Sequence, residues 1–189
     1  MLSLHRGGPA ALALAGISCA AFAPQQPAAS PSAPPPPVVE DGTAAPDVAA
    51  LGLNEKAVHL SDYRGKPLVL YFYPVDFGAS ATAEAEEFKS DLAHYRKLGV
   101  TVVGVSTDHV ATHKDFTARF KIPFPLLSDP DGTMARAFGV PLEAGTTRHY
   151  TFFIDRQGIV RKSWKNVRAW GHSADVLGYV KSAKLNHPR

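Results

Sequence analysis

Apolar and polar positions alternate on two different rhythms along this chain. Leu68-Val69-Leu70-Tyr71-Phe72-Tyr73 is apolar without interruption, which predicts a strand covered on both faces. Pro74 lacks an amide hydrogen and ends the ladder. From Ala81 onward the apolar residues fall at Ala81, Ala85, Phe88, Leu92 and Tyr95, the spacing of one helical face. Glu86, Glu87, Lys89, Asp91 and Lys97 fill the other. Gly99 closes that helix, and Val100 to Ser106 is a second buried strand. Strand, helix and strand make a parallel βαβ unit. A helix then follows Asp108, with Val110, Phe116 and Phe120 inward. Ile122 to Leu127 is extended, and Asp129-Pro130-Asp131-Gly132 is a turn leading into a brief helix that reaches Phe138. Tyr150 to Ile154 and Ile159 to Trp164 read as a hairpin joined by Asp155-Arg156-Gln157-Gly158. A last helix covers Ser173 to Ala183. Before the central strand, Ala57 to Leu60 is a short strand and Ser61 to Pro67 a turn.

Residues 1–23 carry a weakly basic start (His5, Arg6) and a short apolar run from Ala10 to Ile17, too short to span a bilayer. They read as a secretory leader, with Ala21-Phe22-Ala23 as a cleavage site. The alternative is lipoprotein-type cleavage that leaves Cys19 lipidated. Residues 24–40 are dominated by Pro, Ala, Ser and Gln, including the run Pro34 to Pro37; such a segment cannot bury a core and predicts an extended spacer. Residues 41–189 remain as one domain of about 150 residues, enough to bury about 70% of its unfolded surface. The expected location is beyond the inner membrane, either periplasmic or tethered to the membrane through Cys19.

Charge and cysteine content narrow the chemistry. A formal charge of +3 from 20 Lys and Arg against 17 Asp and Glu gives no footprint for nucleic acid. The single cysteine, Cys19, excludes an intramolecular disulfide framework and leaves the domain without a thiol.

The strand-to-helix junction resembles that of the peroxiredoxins, in particular the bacterioferritin-comigratory-protein or Q-type branch. Those proteins carry Pro-x-x-x-Thr-x-x-Cys here, followed by Thr-x-Glu-Ala. Pro74, Thr82, Glu84 and Ala85 match. Further blocks match in order: Ala45-Pro46-Asp47, Leu60 to Pro67, Gly104 to Asp108, Phe124 to Pro130, Phe138-Gly139-Val140, and Gly171-His172 with Val176-Leu177. The resemblance implies an α/β, thioredoxin-like fold: a central mixed β-sheet flanked by helices. It also implies reduction of hydroperoxides at thioredoxin's expense, with a thiolate attacking the peroxide oxygen.

The reacting positions depart from that pattern. By the resemblance, the active-site set falls on Pro74, Gly78, Ala81 and His149: the threonine falls on Gly78, the peroxidatic cysteine on Ala81 and the arginine on His149. Arg148 is adjacent, but neighbouring strand residues point to opposite faces. The resolving cysteine of some Q-type members falls on Glu86. No catalytic group of the family set other than Pro74 is intact. The expected function is therefore a non-catalytic, extracytoplasmic binding or interaction module. The alternative is the family's hydroperoxide reduction carried by an unrecognised non-thiol mechanism, and a third reading is new chemistry built from His149 and Glu84. Neither a cofactor nor a metal is expected. A thioredoxin-like or periplasmic protein is the expected partner, and the chain is a monomer or a homodimer. His109 and His113, spaced four apart, read as a solvated helix start capped by Asp108 sooner than as a metal pair. Arg156, Arg161, Lys162, Lys165 and Arg168 form a basic hairpin, read as a solvated face. Trp164 and Trp170 are assigned to core and edge packing.

Overall fold

The computed structural model describes residues 37–186, side chains through residue 183. The expected leader, Cys19 and most of the expected spacer lie outside them. Among the described residues, nine strands and four α-helices follow one another: β1 (Ala49–Leu51), β2 (Ala57–His59), β3 (Leu68–Phe72), α1 (Ala79–Lys97), β4 (Thr101–Ser106), α2 (Val110–Phe120), β5 (Leu126–Ser128), α3 (Thr133–Ala137), β6 (Leu142–Glu143), β7 (Thr146–Thr147), β8 (Tyr150–Ile154), β9 (Val160–Lys165) and α4 (His172–Asn186). Seven strands form one mixed sheet in the order β2-β1-β5-β4-β3-β8-β9. β3 is an interior strand, parallel to β4 and antiparallel to β8.

The unbroken apolar run of β3 serves two cores at once. Val69, Tyr71 and Tyr73 point into one, shared with Ala81, Ala85, Phe88, Leu92 and Tyr95 of α1, Phe116 of α2 and Val176 of α4. Leu68, Leu70 and Phe72 point into the other, with Met134 and Ala135 of α3 and Phe152 of β8. This is the period-two alternation of a strand covered on both sides. Each large aliphatic or aromatic side chain so buried stabilises the fold by about 1.5–3 kcal/mol. Gly104 on β4 permits the packing around Tyr71. A Cβ there would lie 2.8 Å from both the Tyr71 hydroxyl and Leu126.

Several sequence expectations shift. The helix α1 starts two residues early, at Ala79, because Gly78 takes the extended N-cap conformation. The expected turn after β2 is partly a 3-10 helix, Leu60–Tyr63, held by Asp62 accepting from the His59 amide. The strands β1, β6 and β7 were not expected; they are two or three residues long, too short for periodicity to reveal. Packing also reaches back beyond Asp41: Val38 and Val39 lie against the second core, and the Val39 amide donates to the Phe138 carbonyl at 3.1 Å. Trp170 is 67% exposed and packs on neither core, whereas Trp164 meets His172 and Tyr179 edge-on. In the basic hairpin, Arg161 pairs with Asp155 and Lys162 with Asp41.

Candidate functional site

The loop from Pro74 to Gly78 carries the chain from the sheet onto α1. Its tightest residue is Phe77, which holds a left-handed φ of 60° although it has a side chain. Gly78 follows at φ −62°, a conformation open to any residue. A Cβ on it would sit 3.2 Å from the Val75 carbonyl and 4.0 Å from the Ala81 methyl. The first helical bond runs from the Thr82 amide to the Gly78 carbonyl at 2.8 Å. The amides of Ala79, Ser80 and Ala81 therefore precede the hydrogen-bond ladder of α1 at its positive end. Ala81 is 1% exposed, with its methyl directed into the core beneath this turn.

His149 approaches the same turn from the segment between β7 and β8. Its Nδ1 lies 2.8 Å from Glu84 Oε2, and its Nε2 lies 3.0 Å from Ser80 Oγ. Glu84 is fully buried, one turn beyond Ser80, and its Oε1 has no hydrogen-bond partner. Burial pushes the Glu84 carboxyl above the ordinary carboxylate range, and the bond to His149 pulls it partly back. Arg148 is exposed and pairs with Glu143 at 2.6 Å. Of the two neighbours, His149 is the one that meets the start of α1, while Arg148 is engaged by Glu143. An open cleft of about 350 Å³ lies beside the ring, lined by Pro74, Glu143, Thr146, Thr147, Arg148, His149, Asn166 and Val167. Thr147 fixes one wall through its hydroxyl, which donates to the Tyr73 carbonyl at 2.6 Å. Of the four assigned positions, Gly78 and Ala81 meet at the turn, and Pro74 and His149 line the cleft. Glu86 is engaged by Lys89 at 2.6 Å on the outer side of α1.

A second histidine cluster overturns the solvated reading of His113, while His109 is exposed at the start of α2 as expected. His113 is fully buried, not solvated. Its Nδ1 lies 2.7 Å from Asp76 Oδ2 and its Nε2 lies 3.2 Å from the Leu127 carbonyl. The Tyr73 hydroxyl donates to Asp76 Oδ1 at 2.8 Å. Asp108 does not cap α2: His109 is the N-cap residue, without a side-chain bond. Asp108 instead accepts from the Asp76 amide and the Ser106 hydroxyl, at 2.8 and 2.7 Å. Sequence reasoning missed Asp76 as a buried partner and Ser80 as a polar group of the site. The signal for Ser80 was its place at the start of a helix after a buried strand. Nothing local marked Asp76, whose partner lies 37 residues away. Among the described residues, no group of three or more His, Cys, Asp or Glu is arranged to hold a metal.

A parallel strand-helix-strand centre, an antiparallel β8–β9 hairpin and a terminal helix define a thioredoxin-like protein whose special turn is the start of α1. The model of the AhpC/TSA family matches residues 42–163. Peroxiredoxin Bcp of Bacillus subtilis is 36% identical over 150 residues, covering 76% of this chain and 96% of that protein. Peroxiredoxin Q of rice chloroplasts is 35% identical over 130 residues, 68% of this chain; the match spans 60% of the rice protein's length. Among solved structures, the bacterioferritin comigratory protein of Xanthomonas campestris superposes with a TM-score of 0.68 at 31% identity, over 72% of this chain and 91% of that one. BcpB of Mycobacterium tuberculosis gives 0.71 at 27% identity, over 75% and 96%. The chain belongs to the AhpC/TSA family, in its peroxiredoxin Q and bacterioferritin-comigratory-protein branch.

Proposed function

We propose that this peroxiredoxin-family chain does not run the thiol peroxidase cycle of its relatives. We read it as an extracytoplasmic module, non-catalytic toward hydroperoxides, that offers the cleft beside His149 to a ligand or partner. One observation carries the reading. Position 81, at the first turn of α1, is an alanine whose methyl is buried, and the chain's sole cysteine, Cys19, lies outside residues 42–163 that the family model matches. Peroxide reduction by this fold needs a nucleophile that gains an oxygen and is then reduced; a methyl group supplies no lone pair. The apolar run of residues 10–17 supports export.

The test is hydroperoxide consumption by the purified chain with thioredoxin and its reductase, beside a chain carrying Ala81→Cys, Gly78→Thr and His149→Arg. The native chain is expected to match the protein-free blank while the triple variant turns over. Consumption by the native chain would overturn the reading and return the family activity by a non-thiol route.

A further inference from the structure

We infer that Ser80, His149 and Glu84 form a nucleophile–base–acid triad, and that the site cleaves carboxylic esters through an acyl-Ser80 intermediate. This deepens the reading above by naming the ligand class of the cleft, and it rests on that reading.

The geometry is that of an activated hydroxyl. Ser80 Oγ and His149 Nε2 are 3.0 Å apart, and His149 Nδ1 and Glu84 Oε2 are 2.8 Å apart. Both distances fall within reach for proton transfer. With the Nδ1 proton held by the buried carboxylate, the Nε2 lone pair faces the hydroxyl. The acid orients the ring, the ring takes the proton, and the hydroxyl attacks. Ser80 is partly exposed, and the His149 side chain is 13% exposed on the wall of the cleft. The nucleophile is thus accessible while the acid is sealed.

The backbone supplies the remaining part. Ser80 is the second residue of α1, six loop residues after β3 ends; it shares with the nucleophile of a strand-to-helix elbow a following amide at a helix N-terminus, without the elbow's sharp turn. The local sequence Gly78-Ala79-Ser80-Ala81-Thr82 keeps a small residue on each side of the serine. The elbow's usual second glycine is replaced by Thr82. In such elbows the amide after the nucleophile stabilises the developing oxyanion. Here that amide belongs to Ala81, ahead of the first helical bond. The side chain at 81 is therefore dispensable for this chemistry, whereas peroxide chemistry depends on it.

The steps balance without an outside reagent. Ser80 Oγ bonds to the ester carbonyl carbon as its proton passes to His149 Nε2. The carbon–alkoxy bond breaks, and the alcohol leaves with that proton. Water then attacks the acyl carbon and yields a proton to His149. The carbon–Oγ bond breaks, and Ser80 recovers the proton. The sum is ester plus water giving carboxylic acid plus alcohol.

The test treats the purified full chain with a fluorophosphonate probe and with p-nitrophenyl acetate. Expected are a single phosphonyl adduct mapped to Ser80 by mass spectrometry, and ester turnover that Ser80→Ala lowers by at least about a hundredfold. Ser80 is a surface-accessible position, so Ser80→Ala should keep the native melting temperature. Glu84 is a positioning residue. Glu84→Gln should lower kcat with KM unchanged, and Glu84→Asp should restore part of it; equal losses in both variants would overturn its role. An adduct at another residue, no adduct, or full ester turnover by Ser80→Ala would overturn the triad. Peroxide consumption measured on the same preparation tests the previous reading by itself. A silent peroxide assay with no Ser80 adduct removes the triad alone. Active peroxide turnover removes the reading on which the triad rests, whatever the ester assay gives.

Discussion

Two histidine–carboxylate pairs lie on either side of the same β3-to-α1 connection, and they differ in what their remaining atoms do. In the inner pair, His113 spends both ring nitrogens on acceptors, and Asp76 receives Tyr73 as well as His113. Every polar atom of that pair is directed at protein, and both side chains are fully buried. In the outer pair, His149 gives one nitrogen to Glu84 and turns the other to the Ser80 hydroxyl beside an open cleft. Glu84 keeps one oxygen without a partner. Saturation of the hydrogen-bonding valence makes the first a clamp between β3, its loop and α2. The second is open to a ligand only through the His149 ring, which lines the cleft. A buried unsatisfied polar atom costs about 1–3 kcal/mol, so the outer site carries a stability cost that the inner one avoids.

The sharpest way to break this contrast is to change the chemistry of the outer site. Ala81→Cys with Gly78→Thr and His149→Arg should move peroxide turnover from the blank to a measurable rate, followed by the thioredoxin-coupled assay. Because a Cβ at 78 meets Val75 at 3.2–3.3 Å, the variant lacking Gly78→Thr should fold more stably while turning over more slowly.

Removing one member of each carboxylate pair comes next. Asp76→Ala leaves His113 and the Tyr73 hydroxyl buried without their acceptor, and should cost about 3–5 kcal/mol, a fall in melting temperature of about 10 °C. Glu84→Gln at the outer site removes a carboxyl that burial already disfavours, and should change stability by less than about 1 kcal/mol. Calorimetry on both variants decides the point; equal losses would erase the distinction between clamp and open site.

Acid titration probes a third histidine that touches neither pair. Burial pushes His172 from its ordinary 6.5 down to about 4, with Asp175 opposing the shift; its Nε2 lies 2.8 Å from the Thr151 hydroxyl. The unfolded chain therefore binds this proton first as pH falls. The contribution is fully present above pH 6.5 and is lost between there and pH 4, on the order of 3 kcal/mol in all. Glu84 and Asp129, both pushed upward by burial, act in the opposite sense. The informative measurement is thus the difference in urea midpoint between the native chain and His172→Gln at pH 7 and pH 4.5, where the variant should show the shallower loss. The smallest effect belongs to the outer edge of the clamp. Asp108→Asn keeps one acceptor for the Asp76 amide and the Ser106 hydroxyl and should cost about 1 kcal/mol.

The parts of this arrangement that a sequence discloses are those set by local periodicity. The continuous run at β3 and the stripe Ala81, Ala85, Phe88, Leu92 and Tyr95 give both the strand and the buried face of α1, because burial and spacing there obey one rule. The family frame points to Ala81 and His149, and His149 reaches Ser80 beside Ala81 at the first turn of α1. Partnerships across the chain are not disclosed in the same way. His113 looks solvated beside Lys114 and Asp115 until Asp76, 37 residues earlier, is brought against it. Ser80 looks like one more small residue at a helix start until His149, 69 residues later, reaches it. Strands of two or three residues, such as β6 and β7, carry too few positions to show alternation at all.

The methyl group of Ala81 has a consequence for how the domain ages under oxidant. Thiol peroxidases are consumed by their own substrate, since a sulfenic acid that meets a second peroxide becomes a sulfinic acid and stops. A carbon at that position has no such ladder to climb. Whatever the outer site does, its capacity should remain constant as oxidant dose rises, where a sulfur-bearing relative would be progressively silenced.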